Sequence, residues 1–195
     1  MLPFHRALGL ADDAPVISAQ GALVRPARVA SDGGDDARGT PDAWRTCPVP
    51  SALAAAVTRE GLARGAAVEQ YRVSGVYLQT RTAWTDYDQT RNAAPHRLVP
   101  DLLALDDAAD PVLKVMWFDD PACLAAIADA TAERYAGALV VTPTDPPYLE
   151  FSAANATKGT ALAEVAVRLG VPRAAVLAFG DGTNDASMLA WAGCG

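Results

Sequence analysis

The chain has 195 residues, of which 51% are hydrophobic and 20% are charged, and its formal net charge is −7. This composition is ordinary for a globular protein with one large or two small cores. The negative charge argues against a nucleic-acid-binding surface and against an anionic membrane as partner, and no apolar segment is long enough to span a bilayer.

The cysteines and histidines indicate no metal centre and no secreted disulfide framework. Cys47, Cys123 and Cys194 are odd in number and far apart, so they match neither pattern. A reducing cytoplasm is therefore the expected location. His5 and His96 are isolated, and we interpret each as a surface or packing residue and not as a ligand or base.

The first part of the chain is predicted to begin with helix and strand and then to become exposed. The predicted elements, in order, are a short helix over Met1–Leu10, a strand at Val16–Ser18, an exposed hairpin or loop over Arg25–Pro41, a helix from Pro50 or Ser51 to Gly61 or Gly65, and a strand over Ala67–Gln79.

The middle of the chain alternates between polar segments and clear apolar runs. The predicted elements are a polar loop over Thr80–Ala94, an acidic segment over Asp101–Asp110, a strand at Val112–Phe118, a helix from Pro121 to about Tyr135, a strand at Ala138–Val141 and a proline-rich crossing over Thr142–Pro147.

The most informative stretch is the apolar run Ala174–Phe179, which predicts a strand buried on both faces. It ends in a Gly180–Gly182 turn, and Asn184 and Asp185 then lie where a helix N-cap belongs. Asp181 thus falls just past the carboxyl end of a strand, where ligands bind in open α/β sheets. Carboxylate and amide oxygens there suit a hard cation such as Mg²⁺.

Lys158 is a second candidate, because it opens a predicted helix where the helix dipole disfavours a cation. A position that breaks a local rule is a candidate functional site.

Four segments together resemble the haloacid dehalogenase-like phosphohydrolases of the Cof-type branch. Gly180–Asp185 resembles the family's fourth motif and Thr157–Leu162 its third. Tyr148–Phe151 resembles the strand that re-enters the core, and Val16–Leu23 resembles the strand that ends in Asn-Gly-Ala, with Gln20 in place of the asparagine.

The resemblance implies an α/β fold with two parts. Residues 1–23 and 147–195 would form a Rossmann-like core with a parallel sheet, and residues 24–146 an inserted α+β cap of type IIB that closes over the active site and selects the substrate.

It also implies a Mg²⁺-dependent phosphatase acting through an aspartyl-phosphate on small phosphorylated metabolites such as sugar phosphates. An aspartate on the first strand would attack phosphorus, and a second aspartate would protonate the leaving group. Oligomeric state stays open, and Trp84, Tyr87, Arg91 and Arg97 are candidates for substrate contact. The implied roles are Lys158 as catalytic and phosphate-binding residue, Asp181 and Asp185 as catalytic residues and magnesium ligands, and Asn184, Gln20 and Gly21 as phosphate-site residues.

The family's first motif, Asp-x-Asp-Gly-Thr, does not occur in the 195 residues. Asp86-Tyr87-Asp88 has the spacing but is interpreted as a solvated loop, and Asp119-Asp120 as a helix cap. We therefore expect a chain shortened at both ends, with an uncovered sheet edge and no activity by itself. Two alternatives remain: a non-catalytic remnant that binds phosphate and a cation, and a fragment of a P-type cation pump.

Overall fold

The computed structural model describes residues 8–11, 13–26, 43–92, 96–144 and 147–195. Within these residues the strands are β1 (Pro15–Ser18), β2 (Leu23–Pro26), β3 (Arg45–Thr46), β4 (Ala67–Arg72), β5 (Gly75–Leu78), β6 (His96–Leu98), β7 (Val112–Phe118), β8 (Leu139–Thr142) and β9 (Tyr148–Ala153). The α-helices are α1 (Ser51–Ala63), α2 (Ala83–Asn92), α3 (Pro121–Tyr135), α4 (Lys158–Leu169) and α5 (Ala186–Trp191).

The strands form two sheets, which confirms the predicted α/β class. The larger is a 6-stranded mixed sheet in the order β6-β5-β4-β7-β9-β8, in which β5 and β6 are parallel. The smaller is a 3-stranded antiparallel sheet in the order β1-β2-β3. Strands β1, β7, β8 and β9 and helices α1, α3 and α4 lie close to their predicted positions.

One face of the larger sheet is apolar and carries helices α1 and α3. Trp117, Leu149 and Phe151 are fully buried there, and the rings of Trp117 and Phe151 lie 4.5 Å apart. Successive residues of a strand point to opposite faces, so these side chains share one face only because their strands are in register. Burial of this face against the helices stabilises the fold by the hydrophobic effect.

The opposite face of the same sheet, here called the polar face, carries charged side chains beside an apolar cluster of Ala67, Met116, Phe118 and Tyr148. Glu69 of β4 pairs in register with Met116 of β7, which pairs with Glu150 of β9. Tyr71 and Lys114 form the next row. All of these strands are central, so their charged side chains are buried and must be balanced by neighbours.

Two predictions for residues 67–94 are wrong. The predicted single strand over Ala67–Gln79 is a hairpin, since the chain turns at Val73–Ser74 between β4 and β5. The predicted polar loop over Thr80–Ala94 contains helix α2. Thr82 and Thr85 exchange backbone-to-hydroxyl hydrogen bonds of 2.9 and 3.3 Å at its start, and this reciprocal cap explains why a polar segment is helical.

The predicted buried strand at Ala174–Phe179 is also wrong. The described chain forms a 3₁₀ turn at Arg173–Ala175 and a single bridge between Leu177 and Cys194. Leu177 and Phe179 are 58% and 80% exposed.

The division into 1–23 plus 147–195 and 24–146 stays a prediction, although β9 pairs with β7 and β8 of the segment that was assigned to the cap. The helix over Met1–Leu10 and the loop over Arg25–Pro41 lie mostly outside the described residues. None of the helices in the described part of the chain is both long and apolar enough to cross a membrane.

Gly61 offers a test of packing on the apolar face. A Cβ at this position would overlap Trp117 Nε1, which donates a 3.2 Å hydrogen bond to the Val57 carbonyl. Because Trp117 is fully buried, we expect Gly61→Ala to lower the free energy of unfolding by roughly 1–2 kcal/mol, despite a gain of about 1 kcal/mol in helix propensity. Urea denaturation measures this change.

The matched control is the same change in a Trp117→Phe background, where the smaller ring relieves the overlap and the cost of Gly61→Ala should shrink. A Gly61→Ala protein more stable than wild type would contradict the packing argument.

Candidate functional site

The N-terminus of α4 presents Lys158. Thr157 caps the helix by accepting a 3.1 Å hydrogen bond from the Thr160 backbone N–H, so the backbone around Lys158 is fixed. The Lys158 Nζ lies 2.5 Å from Asp185 Oδ1. This ion pair joins the start of α4 to the loop that precedes α5.

Asp185 organises that loop. Its Oδ2 accepts hydrogen bonds from the backbone N–H groups of Gly182 (3.1 Å) and Asp181 (3.3 Å). The hydrogen bond from Lys158, with help from these backbone donors, holds the pKa of Asp185 below its usual value against the opposing effect of burial. Gly180 packs so closely on Asp185 that a Cβ would overlap its side chain. The Gly-Asp-Gly sequence is therefore required by close approach.

Asp181 and Asp185 are both predicted magnesium ligands, but they differ in environment. Asp181 is exposed at the tip of the loop, whereas Asp185 is 8% exposed and already engaged. Asn184 lies beside them, so the loop offers two carboxylates and an amide. This oxygen donor set fits a hard cation that binds through one or two carboxylates and keeps several waters.

Gln20 and Gly21 also lie at this site. Gln20 has φ 58° and ψ 23°, and its Oε1 accepts a 3.3 Å hydrogen bond from Asn184 Nδ2. Gly21 has φ +94° and packs against the Thr157 carbonyl so closely that a Cβ would overlap it. The structure thus brings together all six predicted site residues: Gln20, Gly21, Lys158, Asp181, Asn184 and Asp185.

Glu150 and Lys114 adjoin the site and were missed in the sequence. Glu150 Oε2 accepts a 3.0 Å hydrogen bond from Gln20 Nε2, and Glu150 Oε1 lies 3.3 Å from Lys114 Nζ. The apolar strands Val112–Phe118 and Tyr148–Ala153 each contain one charged residue. Because charged side chains are rarely buried unless they are paired, these two residues could have been predicted to form a buried ion pair.

Three of the four candidates for substrate contact, Trp84, Tyr87 and Arg91, lie on α2, and Arg97 lies on β6. Trp84 and Tyr87 are exposed on α2. Arg97 donates a 2.9 Å hydrogen bond to the Tyr77 hydroxyl, and the register places Tyr77 on the opposite face from Glu69.

The family model for haloacid dehalogenase-like hydrolases matches residues 1–195. The chain belongs to this family. This match agrees with the resemblance of the four segments.

Known proteins similar to this haloacid dehalogenase-like chain include both sequences and solved structures. "Putative phosphatase YxeH" of Bacillus subtilis is 31% identical over 93 residues, which are 47% of this chain and 34% of the relative. A haloacid dehalogenase-like hydrolase from Bacteroides thetaiotaomicron has a TM-score of 0.81 at 18% identity, covering 98% of this chain and 68% of that one. A haloacid dehalogenase-like hydrolase from B. subtilis has a TM-score of 0.75 at 20% identity, covering 98% and 70%.

The match to curated relatives spans about a third of their length, with 34% and 29% covered in two of them. The solved structures at 18–22% identity show the shared fold alone.

Replacing Lys158 tests the central ion pair. In Lys158→Met we expect the pKa of Asp185 to rise and the free energy of unfolding at neutral pH to fall by about 1–3 kcal/mol, because a charged hydrogen bond is lost. A carboxyl whose pKa is lower in the folded state stabilises the fold at pH values above its unfolded-state pKa of about 3.9. This stabilisation is lost as the pH falls through the folded-state pKa. The difference between the two proteins should therefore shrink in acid.

Carbon-detected NMR titration of Asp185 and urea denaturation across pH measure both effects. Arg168→Met is the control, since it removes an exposed cation of α4 that lies over Trp44. An unchanged Asp185 pKa in Lys158→Met would contradict the assigned contact.

Proposed function

We propose that these residues carry the phosphate- and magnesium-binding part of a Mg²⁺-dependent phosphatase of small phosphorylated metabolites such as sugar phosphates. The reaction would convert a phosphate monoester and water into an alcohol and inorganic phosphate. The observation that carries the proposal is the Lys158 ammonium, held by buried Asp185 beside the exposed carboxylate of Asp181.

Lys158 would bind the phosphoryl oxygens. Asp185 fixes the position of the ammonium, and the two backbone N–H groups fix Asp185 in turn. Asn184 and Gln20 would orient the loop and the phosphoryl group through their mutual hydrogen bond. Preorganised charge of this kind is the main requirement of phosphoryl transfer.

Asp181 would be the principal magnesium ligand, with Asp185 as a direct or outer-shell partner. When bound, the ion would neutralise charge that develops on the phosphoryl oxygens. The printed name "Putative phosphatase YxeH" supports a phosphatase reaction here.

We further propose that the 195 residues by themselves do not complete the reaction through an aspartyl-phosphate. Asp120 caps α3 by accepting a 2.8 Å hydrogen bond from the Ala122 N–H, and Asp119 accepts one from the Asp120 N–H. Asp88 is buried on α2 and accepts from Tyr71, so the expectation of a solvated residue is wrong. None of the three offers an open carboxylate beside Lys158 in the described structure.

The expected setting is the cytoplasm, with no nucleic-acid or membrane partner. Cys47, Cys123 and Cys194 are all free thiols, which supports a reducing compartment.

The second candidate function is phosphate and cation binding without turnover, as in a regulatory remnant. It needs only groups that the described residues supply, the Lys158 ammonium and the Asp181 carboxylate. The coding DNA on both sides of this segment distinguishes the two: an in-frame apolar strand followed by that motif supports the phosphatase, and its absence supports the remnant.

Binding and turnover should separate in this chain. We expect Mg²⁺-dependent binding of inorganic phosphate, measured by calorimetry. Asp181→Asn should lose the Mg²⁺ dependence. Lys158→Met should lower the affinity for phosphate by about 10-fold or more, because a charged hydrogen bond is lost. Phosphate release from a panel of phosphate monoesters should stay at background.

The matched control is Asp119→Asn, which removes a carboxylate remote from Lys158 in the sequence and engaged at the start of α3. Mg²⁺-dependent turnover by the pure chain, abolished by Asp181→Ala, would contradict the proposed inactivity. Absence of phosphate binding would contradict the proposed site.

A further inference from the structure

Three ionisable side chains meet on the polar face of the larger sheet, away from the loop that holds Asp181. Glu69 of β4, Asp88 of α2 and His96 of β6 each place one potential ligand atom within 4.8 Å of the other two. His96 Nδ1 lies 3.5 Å from Glu69 Oε1, and His96 Nε2 lies 3.5 Å from Asp88 Oδ2. All three side chains are buried, with exposed fractions of 0% for Glu69 and 1% for Asp88 and His96.

Four polar atoms of this cluster, two on Glu69 and two on His96, make no hydrogen bond within the described residues. They are both carboxylate oxygens of Glu69 and both ring nitrogens of His96. Buried polar atoms nearly always have partners, and each unsatisfied one costs about 1–3 kcal/mol. Four such atoms at one point make this cluster a candidate for a ligand that the side chains themselves do not provide.

We propose that Glu69, Asp88 and His96 form a second cation site, specific for a divalent transition metal of the Zn²⁺ class. An imidazole with two carboxylates is a mixed nitrogen and oxygen donor set, which suits Zn²⁺ better than Mg²⁺. The site differs in this from the all-oxygen loop at Asp181. One ring nitrogen of His96 would bind the metal.

The surroundings support a bound cation. Tyr71 donates a hydrogen bond to Asp88, as an outer-shell partner that orients a ligating carboxylate does. The nearby ammonium of Lys114 is 3.3 Å from Glu150 and 4.2 Å from the centre of the Tyr71 ring, so it is already engaged.

The metal would hold α2 on the sheet. The three ligands come from β4, α2 and β6, and α2 is a polar helix whose buried residues include Thr85 and Asp88. A metal that links three elements stabilises the folded state by its binding free energy. It would thereby fix the exposed Trp84 and Tyr87 of α2.

The test is a zinc titration of the full chain in excess Mg²⁺, which saturates the oxygen loop. Because exposed thiols also bind zinc, the parent protein carries Cys123→Ser and Cys194→Ser. We expect one zinc ion per chain and a rise in Tm of about 5–10 °C at roughly a hundredfold excess over Kd.

Loss of an outer-shell partner lowers metal affinity by roughly 10–100-fold, so Tyr71→Phe should lower the zinc affinity within that range. His96→Gln and Glu69→Gln each remove a ligand and should lower the zinc affinity by more than that. The matched controls are His5→Gln, which replaces the other histidine, and Glu133→Gln, which removes an exposed carboxylate. Both should bind zinc as the parent does.

Glu69→Gln also distinguishes loss of a zinc ligand from misfolding as the reason for weaker zinc binding. Without zinc it should be about as stable as the parent, because a neutral amide of similar shape replaces a buried carboxyl that makes no hydrogen bond, yet it should lose the zinc-dependent rise in Tm. Failure of the parent to bind zinc, or equal zinc binding in His96→Gln and His5→Gln, would overturn the proposal and leave an imidazolium between two carboxylates.

Discussion

The ion pair between Lys158 and Asp185 is the contact on which the candidate site depends. It joins the N-terminus of α4 to the loop before α5, and no backbone ladder joins these two segments. A cation at a helix N-terminus is opposed by the helix dipole, so Lys158 needs a nearby anion to stay there. Asp185 meets this need and uses its second oxygen to hold the loop backbone.

A series of polar contacts links the loop before α5 to the larger sheet. Asn184 contacts Gln20, Gln20 contacts Glu150, and Glu150 pairs with Lys114. Each member is at least half-buried, and an unpaired charge there would cost several kcal/mol. The loop and the polar sheet face are therefore energetically coupled, since removal of one member leaves its neighbours unsatisfied.

Much of this was predictable because local signals agreed with the fold. The apolar run of Val112–Phe118, the proline and aspartates before α3, and the threonine cap before Lys158 each predict an element that the structure contains. The loop residues Asp181 and Asp185 were predictable for the same reason, because glycines beside an acid at the start of a helix indicate a close backbone approach.

The failures arose where tertiary contacts override the local pattern. Helix α2 has little apolar content, so its sequence lacks the apolar periodicity that predicts a helix. The two threonines that cap it are a weaker signal for a helix than a run of leucines would be. Ala174–Phe179 has the pattern of a buried strand, but burial requires a neighbouring surface, which a residue pattern does not supply. Glu69 and His96 are far apart in the chain and approach only because β4 and β6 flank β5.

One physical requirement, the balance of buried charge, explains the differences between the two acidic clusters. At the loop, the Lys158 ammonium balances Asp185 and leaves the exposed Asp181 open to solvent. On the sheet face, Lys114 is engaged by Glu150, and the carboxylates of Glu69 and Asp88 face an imidazole that donates to neither. A divalent cation would balance both carboxylates. At the loop the buried charge of Asp185 is thus already balanced by the protein. At the Glu69, Asp88 and His96 cluster the protein alone does not supply the balancing charge.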